Sequence, residues 1–446
     1  MSYKYGTLVR SFNKHLIAFS KAMYSVPMKR FFSSLTQYIV CIYLLPGSYF
    51  FVDGQNLQSG IHFQSGTFAN ALATARSSHK LLFVEVYLNN CSHCAALAPI
   101  LAEKQVGDFF NTHFISWKVE ANSAEATALQ KQKKISFPEY PLCLFLDGEG
   151  NLVHVAVPDE KKTKPAFVEE VLSVGRTALN PAQRAAGYAA RFKAGERNLA
   201  FLVNYGKYCI TRADNQQLHE VSEVLGKTLK PDQLKRPVGL YCLQQLIDNI
   251  DNPAAAYFFS HLNEFTTAHS SGVVKITGER IIFRTLYGPK GDQYSSQKLI
   301  QIRNALIASG TPAQQAYTGT FLKELSAYLR ERNSQAAVQR VDEYRRATPK
   351  TGLAEYAYLM RLFNEKALDT AYLSAMPVWA SAGLRAVSPE QVNTQLVADL
   401  YYELATAYKK MGQKAEALKT AQQGLSIAQK SSISIQKYEN QVTALK

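Results

Sequence analysis

The sequence predicts an α/β domain followed by a larger all-α domain, and three observations carry that division. Residues 55–180 alternate short apolar runs with segments of helical spacing, the order expected of a sheet flanked by helices. From Pro181 onward the pattern is helical, rich in Ala, Leu, Gln and Lys, with breaks at Pro231, Pro237, Asn252-Pro253, Gly288-Pro289 and Gly310 to Pro312. The 446 residues are 47% hydrophobic and only 19% charged, which allows two or three ordinary cores and argues against wholesale disorder.

Residues 1–54 read as an N-terminal extension and signal peptide. Lys29 and Arg30 follow Met28 and precede an apolar run, Tyr38 to Leu45, that continues past Pro46 and Gly47 to Phe51 and Val52. Val52-Asp53-Gly54 offers small or tolerated residues for cleavage before Gln55, and the pattern is most compact if translation starts at Met28. The expectation is export, to a periplasm or the extracellular space. A retained membrane anchor competes with it, but the apolar stretch is shorter than the roughly 20 residues a spanning helix needs. Cys41 lies inside this stretch and leaves with it.

The formal charge of +15 divides into +5 for residues 1–54, −1 for 55–180 and +11 for 181–446. The basic helical part is first of all a solvated surface, with peripheral contact to anionic membranes or acidic partners as the functional reading. No segment places bases and aromatics together in a nucleic-acid motif, so no nucleic-acid partner is expected. After the leader, Cys91, Cys94, Cys143, Cys209 and Cys242 remain. One tight pair in an odd set fits a redox pair plus buried thiols better than a disulfide framework. Whether Cys209 and Cys242 bridge two helices is left open.

Phe68 to His79 has helical spacing, and Leu81-Leu82-Phe83-Val84-Glu85-Val86-Tyr87 is an apolar run typical of a strand buried on both faces. Glu85 is the misplaced residue, because burial disfavours its ionised form and should raise its pKa. After Asn89 and Asn90, Cys91-Ser92-His93-Cys94 opens a helical pattern running to Lys104. That spacing puts both sulfurs on one helix face, with the first among unpaired N–H groups at the positive end of the helix dipole, which favours a thiolate. His93, when protonated, adds to that effect. A second CxxC or a matched His pair is lacking, so no metal site is expected, and no cofactor.

The stretch Phe83 to Cys94 resembles the active-site strand and helix of thioredoxins, and its Glu with Cys-x-His-Cys is closer to protein disulfide isomerase domains. The resemblance covers Ile61 to Leu179 and implies a thioredoxin fold, a central mixed sheet flanked by helices. It makes Cys91 the nucleophile and Cys94 the resolving thiol, and it places Pro99 where the family kinks its active-site helix. Glu85 takes the place of the family's buried carboxylate, a general acid/base for Cys94, and Lys118 that of the lysine approaching it. Pro141, opening Leu142-Cys143-Leu144-Phe145-Leu146, takes the place of the cis-proline at the substrate groove, with Pro138 as the alternative. Cys143 is expected to be a buried apolar filler. Two departures flank the groove: Asn90 stands where Trp is usual, and Ile135 to Tyr140 is about two residues longer than usual.

The implied function is an exported thiol-disulfide oxidoreductase that reduces, forms or isomerises disulfides in client proteins with help from a redox partner. The alternative is a non-catalytic helical scaffold with a thioredoxin-like docking domain. Within the helical domain, Tyr401, Leu404, Ala405, Tyr408, Gly412, Ala417, Ala421 and Gly424 resemble a tetratricopeptide hairpin near 398–430. An α-solenoid and a more irregular helical domain are both compatible with the rest.

Overall fold

The computed structural model describes residues 60–446 apart from 349, 350, 389, 391 and 432. The extension, the Met28 start, the cleavage near Gly54 and Cys41 lie outside the described residues. No described helix is long and apolar enough to cross a membrane. The described chain forms two compact units, residues 60–247 with 252–254, and residues 248–251 with 255–446.

The first unit begins with α1 (Phe68–Ser77), β1 (Leu81–Tyr87), α2 (Ser92–Leu101), α3 (Lys104–His113) and β2 (Phe114–Glu120). It continues with α4 (Ala124–Lys133), β3 (Leu142–Leu146), β4 (Leu152–Ala156) and α5 (Lys164–Leu179). The sheet order is β2-β1-β3-β4, so the central β1 is buried along nearly its whole length, as its apolar run requires. β1 and β2 are parallel, and α2 and α3 make the crossover that a parallel pair needs, while β1–β3 and β3–β4 are antiparallel. This is the mixed sheet flanked by helices that the sequence led us to expect. One face is filled by Phe83, Phe110, Phe114 and Phe145, whose rings meet at tilted or edge-on angles.

Ahead of α1, the segment from Gly60 to Phe63 is tied to both layers. The Ile61 amide donates to the Leu101 carbonyl at 2.9 Å, and Phe63 bridges to Ser116 of β2. Gly107 of α3 lies flat against the Gly60 backbone, where any Cβ would collide with the Gly60 carbonyl. Gly107→Ala should therefore cost about 1–3 kcal/mol, read as a lower urea midpoint at unchanged slope.

The helices after residue 181 do not stand apart from this sheet. α6 (Tyr188–Lys193), α7 (Leu199–Thr211) and α8 (Asn215–Thr228) belong to the same compact unit. The Tyr208 hydroxyl donates to the Leu152 carbonyl at 3.1 Å. His154 of β4 is buried, which pushes its pKa down to about 4, and the neutral ring accepts the Ala185 amide at Nδ1, 3.2 Å away. Asn198 and Asp214 cap α7 and α8 by accepting from the Phe201 and Gln217 amides.

The second unit is wholly helical among its described residues and repeats one device. Ser296 opens the helix Ser296–Ala308, and its amide and hydroxyl both donate to the Glu331 carboxylate, 35 residues on, at 2.7 and 2.5 Å. Ser334 opens the helix Ser334–Ala347 and donates in the same way to Asp369, also 35 residues on. In each case a carboxylate beyond the next helix satisfies an amide that the opening turn cannot pair, at the end of the dipole that favours a negative charge. Beneath the first clamp, Glu324 is fully buried between Arg303 at 2.5 Å and Arg340 at 2.7 Å, and it also accepts from Thr320. The expected hairpin near 398–430 is formed by Gln395–Lys410 and Lys414–Lys430, with Ala405, Ala417, Ala421 and Gly424 all buried.

Candidate functional site

The dithiol sits where β1 hands the chain to α2. Asn90 makes the turn with φ of +65°, a left-handed conformation that Asn tolerates better than most side chains. Cys91 is the N-cap of α2, and its Sγ accepts from the Cys94 amide at 3.2 Å. Its thiol also points at the Tyr140 carbonyl, 3.9 Å away. Tyr140-Pro141 is a cis peptide, the only one among the described residues, so Pro141 and not Pro138 faces the dithiol in that state. Pro99 lies inside α2, seven positions into the helix from Ser92 and within its exposed face.

The two thiols have different surroundings. Cys91 is half-exposed and Cys94 is buried, and all five described cysteines are free. Burial, joined by the hydrogen bond to Cys91, pushes the Cys94 thiol up to about 12. Such a thiol does not deprotonate near neutrality without a base. Glu85 supplies a candidate. It is 6% exposed, and burial raises its carboxyl to about 7 against the opposing pull of Lys118. In register it stands opposite Lys118 on β2 and Cys143 on β3, so the three share one strand position across the sheet.

Lys118 does not close an ion pair with Glu85. Its side chain is exposed and its ammonium lies over the Phe63 ring, 5.2 Å from the centroid, so it acts on Glu85 through the field alone. A cavity of about 980 Å³ connects these groups, lined among others by Phe63, Glu85, Cys91, Cys94, Ala98 and Lys118. Glu85 and both cysteines thus border one cavity. Cys143 is fully enclosed, and burial drives its thiol far up, which leaves it inert beside the pair.

His93 is exposed and is engaged elsewhere than at Cys91: its Nδ1 lies 3.0 Å from Glu160 Oε2. Glu160 rides on the loop after β4, which Lys161 braces by reaching Asp159 and Glu170 at 3.4 Å each. Sequence reasoning missed Glu160, 67 residues from His93, because no spacing rule joins a helix start to a loop that far along the chain. It also missed Glu139, which precedes Tyr140 and accepts from the Tyr241 hydroxyl at 3.0 Å, with Lys207 at 3.6 Å.

No family model matches the chain, and no curated protein does. Among solved structures, it is similar to a provisionally named disulphide-isomerase from Bacteroides thetaiotaomicron, with 28% identity, 27% of this chain and 95% of that chain covered, and a TM-score of 0.23. It is also similar to a structure named DsbH oxidoreductase, with 21% identity, the same shares covered and a TM-score of 0.21. At such scores the likeness carries no weight beside the geometry itself.

Proposed function

We propose that this protein is a thiol-disulfide oxidoreductase acting on exported client proteins. The observation that carries the reading is the buried Glu85, raised to about 7, sharing a cavity with a Cys94 thiol raised to about 12. A structural disulfide has no use for a proton acceptor beneath it.

Cys91 as thiolate attacks one sulfur of a substrate disulfide. A mixed disulfide forms, and the other substrate sulfur leaves with the electron pair of the broken bond and takes a proton. Glu85 then accepts the Cys94 proton by way of the cavity, and the Cys94 thiolate attacks Cys91 Sγ. That closes Cys91–Cys94 and releases the second substrate thiolate, so two electrons pass to the client and the enzyme pair is oxidised. Run backwards from the oxidised pair, the same steps form a client disulfide. A redox partner resets the pair, and its potential sets the direction of flow. Lys29-Arg30 followed by the Tyr38–Leu45 run supports export, and the repeated helical hairpins support a role for the second unit in recruiting clients.

Trapping tests the reading. Cys94→Ser should accumulate mixed disulfides with exported proteins, resolved on non-reducing gels and absent from Cys91→Ser, and wild type should reduce insulin where Cys91→Ser does not. Wild type and Cys91→Ser equally inert across reductants would sink the enzyme and favour the scaffold.

A further inference from the structure

We propose that Lys207 and Tyr241 are positioning residues of the dithiol site, holding the Tyr140 carbonyl against Cys91 through Glu139; this rests on the oxidoreductase reading above. The Ile135–Tyr140 run reaches the helices through Ser136 and Glu139. At the start of the run, the Ser136 amide and hydroxyl donate to the Thr211 and Ile210 carbonyls at 2.8 and 2.6 Å. Those carbonyls belong to the last turn of α7, where the Ile210 carbonyl also accepts from the Ala213 amide at 3.0 Å. At the far end, Glu139 accepts from the Tyr241 hydroxyl at 3.0 Å and faces the Lys207 ammonium at 3.6 Å.

Lys207 in turn lies over the Tyr241 ring, 4.8 Å from its centroid, so carboxylate, phenol and ammonium close a triangle. The charged pair is only about one-fifth exposed, at 20% and 22%, which lifts it out of the class of screened surface pairs. Ile135 and Phe137 are buried on either side of Ser136. The run is therefore pinned at both ends with little slack between them. Tyr140 follows directly, and its carbonyl oxygen accepts from the nucleophile's thiol, 3.9 Å from Cys91 Sγ. A peptide presenting its disulfide to Cys91 must pass this carbonyl, whereas a small electrophile need not.

That difference gives the test. In the full chain carrying Cys94→Ser, single-turnover attack on a peptide disulfide is compared with alkylation by iodoacetamide. Attack by Cys91 thiolate forms the mixed disulfide and releases the peptide's other half as a thiol, which is the species followed. Lys207→Met and Tyr241→Phe should each slow this attack about tenfold while changing alkylation by less than about twofold, and Lys207→Arg should recover most of the loss. Unchanged rates on both reagents overturn the proposal. So does a parallel fall in both, which marks a loss of fold. Should Lys207→Met fail to fold, Glu139→Gln keeps an acceptor for Tyr241, removes the charge facing Lys207 and is read by the same two rates. A wild type that never turns over insulin, yet attacks the peptide disulfide in a Lys207-dependent way, defeats the oxidoreductase reading and leaves the positioning intact.

Discussion

Glu85→Gln should slow release of the mixed disulfide by about a hundredfold, because Cys94, with its thiol at about 12, then lacks its proton acceptor. The first step, attack by Cys91, should change far less, and quenched-flow separation of the two steps distinguishes them. The same variant should be more stable than wild type in alkaline solution. In the unfolded chain Glu85 titrates at its ordinary 4.5, and in the folded protein at about 7. Folding takes up a proton at Glu85 between those values, so this group's contribution to wild-type stability is greatest below about 4.5, falls as pH rises to about 7 and is flat beyond. The fall amounts to about 3 kcal/mol. Glutamine does not ionise, so the variant lacks the fall, and the urea midpoint of the variant should gain on that of wild type between pH 5 and pH 8. Parallel midpoints in the two proteins would refute a carboxyl titrating inside the fold.

Glu324→Leu should destabilise the second unit by about 3–5 kcal/mol. The substitution leaves Arg303 and Arg340, 7% and 4% exposed, without the carboxylate they share, and Arg340 is left with Glu343 of its own helix, a half-exposed partner at 3.6 Å. Their stacking on Tyr317, with centroids 4.1 and 5.3 Å away, holds the guanidiniums in place and so prolongs the penalty. Replacing Glu324, Arg303 and Arg340 together by apolar residues of similar volume should recover most of the loss, since the buried charge goes with its partners. Urea unfolding followed by circular dichroism reads both proteins, and a single substitution costing under about 1 kcal/mol would show that the cluster is hydrated.

Most of the sheet was legible in the sequence because each of its elements carries its own signal. The apolar run of β1 and the helical spacing of α1 are both local patterns. Glu85 was legible for the opposite reason, as one charge breaking such a pattern. What stayed hidden were contacts between common residue types far apart in the chain. Glu160 is an ordinary acid until it meets His93, and Glu139 until Tyr241 reaches it across 102 residues. The attachment of α6 to α8 to the sheet was hidden too, because His154 and Tyr208 look like generic core residues until their hydrogen bonds are seen. In the second unit the sequence picked out the hairpin near 398–430, where small residues mark the close helix contact. It passed over the clamps at Ser296 and Ser334, whose whole signature is one serine and one acid 35 residues later.

The nucleophile of this site is also the cap of its own helix. While the Cys91 sulfur is a thiol or thiolate, it holds the Cys94 amide and so helps keep the first turn of α2 wound. A disulfide sulfur is a poorer acceptor, and a cap is worth about 1 kcal/mol. For a two-electron couple that is about 20 mV. Winding of the helix and electron affinity of the protein are thus coupled quantities. Any change that makes the first turn depend more on its sulfur cap makes the protein a stronger oxidant, without touching either cysteine.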